Sequence, residues 1–532
     1  MTIILKNGKI YIEKDRFEEA ILIKDGIIEK IGSNEKILKE NVDEIIDLEG
    51  KTILPGLNDS HLHLSLIGEA MANCNLNNAR SIEDVIGIGK EFLKDNPDIK
   101  ALKGTGWNQD YFTSGDIRHL NRHDLDQITT DIPIVFDRVC NHLSSSNTKA
   151  IEILNIDGNT QVSGGVIELD ENNIPNGVFK ESGVKLIQSA IPKKEDEQIE
   201  KEILNAMDYC IKNGITSVSS CDIMNNDSKQ MFQIIRNIYK NKKTKLRYYH
   251  QYNLQDIDEF KEYLETEFKN EEYDGKFLSK GALKLFKDGS LGARTALLKQ
   301  PYNDDKTTKG VIALEQDKLL ELLKLAHKNN IQVLTHTIGD GAIKDLINAY
   351  KSVNDSNGNK LRHGIVHCQI TDRELLDRIS KDELSVIIQP IFLDYDIQIV
   401  EDRVGKELTS TSYAFNTLYK SNAKVSLSTD APIEDVNPFD NLYSAVTRLR
   451  IDETPSGGFY PKEKMSIEDA IDGYTIGSAY NQFQEDFKGR IKEGYVADLI
   501  VLDRDIFTID PIEIKDVKVE KTMIDGSFVY EI

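Results

Sequence analysis

Through the middle of the chain, short apolar runs alternate with longer stretches in which apolar residues recur at helical spacing. The runs that read as strands are Thr216-Ser-Val-Ser-Ser-Cys-Asp222, Lys245-Leu-Arg-Tyr-Tyr-His-Gln251, Gly281-Ala-Leu-Lys-Leu-Phe-Lys287, Ile331-Gln-Val-Leu-Thr-His336, Arg362-His-Gly-Ile-Val-His367, Leu384-Ser-Val-Ile-Ile-Gln-Pro390 and Lys424-Val-Ser-Leu-Ser-Thr-Asp430. Residues 193–214 read as a helix, with Ile199, Ile203, Leu204, Ala206, Met207 and Cys210 in phase; residues 319–329 and 371–381 read likewise. Counting a strand that ends near His61, eight strands are separated by helices or long crossovers, and a TIM (β/α)8 barrel is the natural closure. The rival is a doubly wound open sheet, but no Gly-x-Gly-x-x-Gly turn supports it.

Both ends of the chain have a different texture. Residues 3–50 read as short strands and turns, with Asn7-Gly8 and Asp25-Gly26 as hairpin signals between β-branched runs. Residues 497–503 and 517–530 resemble them, so residues 1–56 and 478–532 are expected to form one small composite β-sandwich domain. The barrel domain then spans 57–477. Its first crossover, residues 65–192, is too long for one helix and predicts an inserted subdomain over the barrel mouth.

Composition narrows the class. Of 532 residues, 39% are hydrophobic and 29% charged, as in a globular protein, and the formal net charge of −23 argues against nucleic acid or an anionic membrane as a partner. No apolar run approaches the roughly 20 residues that cross a bilayer, and Met1–Lys9 lacks a signal-peptide core, so the expected location is cytoplasmic. The five scattered cysteines form no Cys-x-x-Cys pair and fit reduced thiols.

The chemistry sits where the predicted strands end, which is the face on which barrel active sites form. Those ends carry His61 and His63, Lys284, His336, His367 and Asp430. Each alone has a bland role: a core histidine, a helix N-cap, a snorkelling lysine. Together they point to a divalent metal site, with Zn2+ the leading choice and one or two ions per chain. Lys284 lies in an apolar context where burial favours the free amine; such an amine can add carbon dioxide, and the carbamate's two oxygens can bridge two ions. Lys287, three residues on, belongs to the opposite strand face. The cation activates a water as the nucleophile, and Asp430 takes its proton and passes it to the leaving amine.

These motifs resemble a known family. Pro55-Gly-Leu-Asn-Asp-Ser-His-Leu-His63 resembles the first-strand signature of the amidohydrolase superfamily. Gly104-Thr-Gly-Trp107, Asn141-His142, Gly177-Val-Phe-Lys-Glu181, the run from Leu283 to Thr295, His336-Thr-Ile-Gly-Asp340, His367-Cys-Gln369, Ser428-Thr-Asp-Ala-Pro432 and the run from Gly489 to Val501 are similar to its YtcJ-like branch, amidohydrolase family 3. The resemblance implies hydrolysis of a non-peptide carbon–nitrogen bond in a small amide: an N-substituted formamide, N-acyl amine or cyclic amide. It also implies His61, His63, His336, His367 and Asp430 as ligands, with Lys284 as the carboxylated bridge, and analogy suggests a homodimer. Two positions depart from the family pattern: Asn141 precedes His142 where glycine is usual, and Val366 precedes His367 where an acid is common. Trp107, Asp110, His142, Glu181, Asp288 and Arg294 are the candidate substrate-pocket residues. A hydrolytic deaminase on the same scaffold, or a regulatory barrel without catalysis, are the alternative readings.

Overall fold

The computed structural model describes residues 1–140, 142–224, 228–354 and 358–532, and the chain divides into two compact units, Met1–Leu66 with Ala206–Ile532, and Ile67–Asn205. The second boundary falls inside the helix Asp196–Lys212, which carries the 3.6-residue periodicity expected there.

The first unit contains eight parallel barrel strands in chain order: Leu57–Leu62, Ile215–Met224, Arg247–Asn253, Leu278–Phe286, Val333–Thr337, Gly364–His367, Ser385–Ile388 and Lys424–Leu427. Seven ladders join neighbours from first to eighth. The eighth and first are joined by other means: Asp430 N–H donates to His61 O at 2.9 Å, His63 N–H to Ala431 O at 2.9 Å, and Thr429 N–H and Oγ1–H to Asp59 Oδ2 at 3.0 and 2.7 Å. Tyr249, Ala282, Leu334, Val366 and Ile387, one from each of five consecutive strands, pack as an apolar interior layer. The fourth strand is bulged at Gly281, where φ is +76° and a Cβ would meet His250 O at 1.8 Å, so only glycine fits. Beyond the bulge Ala282, Lys284 and Phe286 share the inward face.

Two further sheets form the composite β-sandwich. The order in one is Ile27–Gly32, Ala20–Lys24, Thr2–Lys6, Glu44–Asp47; in the other it is Ser527–Glu531, Val519–Ile524, Leu499–Leu502, Thr52–Pro55, Lys9–Glu13, Arg16–Glu18. The ends of the chain meet where Thr52–Pro55 pairs antiparallel with Leu499–Leu502, over a core that includes Ile3, Ile10, Ile23, Ile53, Leu499 and Met523. Asp25-Gly26 makes the expected hairpin between its flanking strands. Asn7-Gly8 does not. Thr2–Lys6 and Lys9–Glu13 lie in different sheets, and the step is a corner where a Cβ on Gly8 would meet the side chains of Ile53 and Leu48 at 2.8 and 2.9 Å. Barrel and sandwich are tied by Arg247, whose Nε and Nη2 donate to Asp498 Oδ2 and Oδ1 at 2.7 and 2.9 Å, with both residues buried.

The second unit is built on a six-stranded sheet in the order Gly165–Leu169, Pro175–Glu181, Leu143–Ser146, Ile134–Arg138, Leu102–Trp107, Cys74–Asn75. Its apolar core gathers Leu102, Trp107, Leu125, Ile134, Phe136 and Val178. Among the described residues no helix is long and apolar enough to cross a membrane.

Candidate metal centre

Five barrel strands end on one constellation. His61 is the penultimate residue of the first strand, and His63 lies one residue beyond its end. The Nε2 atoms of His61 and His63 lie 3.2 and 3.3 Å from Asp430 Oδ1, and ligand atoms of the three residues all fall within 4.8 Å of one another. The His61 and His367 rings are 5.9 Å apart, and those of His367 and His336 4.4 Å. The eighth strand stops at Leu427, so Asp430 reaches the site from a turn, with φ at +60°; His367 sits at +81° and Cys368 at +52°. Left-handed backbone is costly for such residues and persists where the surroundings impose it.

Each imidazole is pinned by its other nitrogen. His63 Nδ1 lies 2.8 Å from Cys221 O, and His336 Nε2 3.2 Å from Gly289 O. His61 Nδ1 meets Gln251 Oε1 at 2.5 Å, and His367 Nδ1 meets Gln389 Oε1 at 2.9 Å. A carbonyl oxygen only accepts, so these nitrogens carry the hydrogen, and in each neutral ring the opposite nitrogen keeps its lone pair. Such pinning suits a metal ligand.

Burial, then the nearby Lys284, lowers His61 to about 4 and His336 to about 3. Burial, then His336, holds His367 well below its ordinary value. His63 goes the other way: burial opposes its proton, but hydrogen bonds to Asp430 and Cys221 raise it. Burial likewise acts to raise Asp430, and the neighbouring His61 and His63 rings outweigh it and hold the carboxyl well below its usual range. The metal-free molecule therefore keeps an ionised His63–Asp430 pair beside three neutral imidazoles.

Lys284 is fully buried, and its Nζ has no hydrogen-bond partner among the described residues; it lies 3.9 Å from the Phe286 ring centroid. Burial lowers its pKa. An orphaned amine amid His61, His336, His367 and Asp430 is what a lysine destined to become an anionic ligand would present. Imidazoles, one carboxylate and a buried amine together fit a divalent cation.

The remaining candidates have other partners. Trp107 is fully buried in the core of its unit, with Nε1–H donating to Phe136 O at 3.1 Å. Asp110 accepts from Arg138 Nη2 at 2.7 Å. Buried Asp288 accepts backbone N–H groups from Leu297, Ile338 and Gly339 at 2.9, 3.0 and 2.8 Å, tying the loop after the fourth strand to the end of the fifth. Arg294 pairs with Asp304 at the surface, 2.9 Å away. His142 and Glu181 form an exposed pair at 3.1 Å; Asn141 lies outside the described residues. Residues that the strand-end reading passed over are Gln251, Gln389 and Asp59. Gln251 stands two residues before the end of its strand and Gln389 directly after its own, and that position was their only signal.

Compared with known proteins, residues 44–530 match the Amidohydrolase family. The protein YtcJ of Bacillus subtilis (strain 168) is 33% identical over 539 residues, covering 100% of both chains. An N-substituted formamide deformylase of Arthrobacter pascens is 22% identical, covering 100% of this chain and 98% of its own. An uncharacterized metal-dependent hydrolase from Pyrococcus horikoshii OT3 superposes with a TM-score of 0.79 at 28% identity, over 96% of this chain and 99% of that one.

Proposed function

This chain belongs to the amidohydrolase family, and from that premise we propose that it hydrolyses the carbon–nitrogen bond of a small non-peptide amide. Formamides with a substituent on nitrogen are the leading class, a choice supported by the full-length similarity to the Arthrobacter pascens deformylase. The observation that carries the reading is the orphaned Lys284 amine beside His61, His336, His367 and Asp430.

His61, His63, His336, His367 and Asp430 are the proposed ligands of one or two divalent cations, with Zn2+ the leading choice. The Lys284 amine attacks carbon dioxide, forming the N–C bond of a carbamate and releasing a proton, and the carbamate then completes the ligand set. A divalent cation held by these residues would supply an activated water near neutral pH and polarise a carbonyl oxygen. Asp430, held as a carboxylate, accepts the proton of the attacking water and delivers it to the nitrogen that leaves. The hydrogen bonds at their outer nitrogens hold the four rings in orientation, so ligand geometry is set before substrate arrives.

The test is a scan of N-formyl amines, N-acyl amines and cyclic amides with protein of measured metal content, following the released amine and acid. Turnover of at least one class, abolished by chelation and restored by metal, is expected. Release of ammonia from an aromatic amine instead would make the protein a deaminase, and no turnover in any class would remove the hydrolase proposal.

A further inference from the structure

The acceptors that pin the four histidines share one property: all are uncharged. Two are backbone carbonyls, of Cys221 and Gly289; two are side-chain amides, of Gln251 and Gln389. The carboxylate nearest to a pinned nitrogen, Asp288, stands 3.7 Å from His336 Nε2 and is already engaged by three backbone N–H groups. A carboxylate in this position would draw the ring proton away and make the opposite nitrogen a stronger donor. A neutral oxygen orients the ring without doing so.

The orientation of Gln251 is settled by its other end. Its Nε2 lies 2.8 Å from Ser60 O, an atom that can only accept, so Oε1 faces His61 and the His61 proton resides on Nδ1. At the other glutamine, Gln389 Nε2 lies 2.6 Å from Ser428 Oγ, while Oε1 faces His367 Nδ1 at 2.9 Å. Both glutamines are buried, at 0% and 2% exposure, so neither can exchange its partner for bulk water.

We propose that Gln251 and Gln389 are positioning residues that fix the tautomers of His61 and His367 and, as uncharged acceptors, limit the donor strength of those two metal ligands. The proposal rests on the metal-site reading above. Asn441 anchors the Ser428 carbonyl through Nδ2, leaving the Ser428 hydroxyl able to turn. Gln389→Glu is therefore an informative change, because the hydroxyl can turn and donate to the new oxygen. Gln251 is less permissive, since an added carboxylate oxygen would face Ser60 O, acceptor against acceptor.

Metal-free wild type, Gln389→Glu, Gln389→Met and Gln251→Met would be titrated with Co2+, reading the visible d–d band and the dissociation constant, with thermal melts of the metal-free proteins as the folding check. Wild type is expected to bind Co2+ with a visible band. Gln389→Glu should bind about tenfold more tightly with a shifted band, and the two methionine variants about tenfold to a hundredfold more weakly. Wild type that binds no Co2+ would sink the metal-site reading itself. Wild type that binds, with Gln389→Glu unchanged in both affinity and band, would overturn this inference alone. If a methionine variant melts too low to titrate, the Gln389→Glu comparison decides.

Discussion

Lys284 and Lys287, three residues apart at the end of one strand, meet opposite fates: Lys287 Nζ donates to Leu314 O at 2.7 Å, whereas Lys284 Nζ is buried with no partner. Strand alternation separates them, and the contrast gives a paired experiment. Lys284→Met removes an amine that makes no hydrogen bond, so the metal-free protein should keep or slightly gain thermal stability while metal content and hydrolysis fall. Lys287→Met strips a buried carbonyl of its donor and should lower stability by about 1–3 kcal/mol. Melting curves and metal analysis on both variants check the pair; a strongly destabilised Lys284→Met would contradict it.

Metal uptake should release protons. The metal-free site holds an ionised His63–Asp430 pair, because the Asp430 and Cys221 hydrogen bonds overcome burial and raise His63. A cation replaces the proton on His63, so affinity should rise with pH and fall as the site is acidified. Calorimetric titrations in buffers of differing ionisation enthalpy would count the protons, and a count of zero would argue against His63 as a ligand.

Asp430→Asn keeps the shape of the turn but removes both a charged ligand and the proposed proton carrier. Turnover should drop by about 10²–10⁴-fold or more at any pH. Steady-state kinetics on protein of known metal content decides this, and activity near that of wild type would refute the assignment.

Asp498→Ala should be among the most destabilising single changes outside the site. Arg247 is only 1% exposed and would lose a bidentate partner while remaining buried. Breaking such a pair from one side costs about 3–5 kcal/mol, measurable by denaturant unfolding. A change under 1 kcal/mol would mean the guanidinium finds another partner.

Asp288 offers a test by pH. Burial raises its carboxyl to about 7, against the opposing backbone N–H groups of Gly339, Leu297 and Ile338. A proton retained in the native state but released by the unfolded chain stabilises most below about 4, and that contribution fades as pH climbs through 7. Asp288→Asn should flatten the decline of melting temperature over this window relative to wild type, and parallel slopes would show that Asp288 stays ionised.

The barrel was legible because its strands are short apolar runs, five of which lead to a residue with chemistry of its own, as at His336 or His367. Gln251 and Gln389 end similar runs, but an amide is an ordinary strand residue and carries no mark of what it holds. The carbonyls of Cys221 and Gly289 leave no trace in residue type at all. Asn7-Gly8 misled for a related reason: a turn signal records that the backbone reverses, not which sheet receives the next strand. Trp107 stood out by rarity, yet its surroundings are those of a packing residue.

The join between the eighth and first barrel strands lacks a ladder and depends on the backbone of His61, His63, Asp430 and Ala431 with the Asp59 carboxylate. Three of the residues that fasten the hoop, His61, His63 and Asp430, are thus also proposed ligands of the ion. Stripped of its cation, the protein should begin to unravel at this clasp, so amide exchange at Asp430 and His63 would quicken before any other part of the barrel loosens.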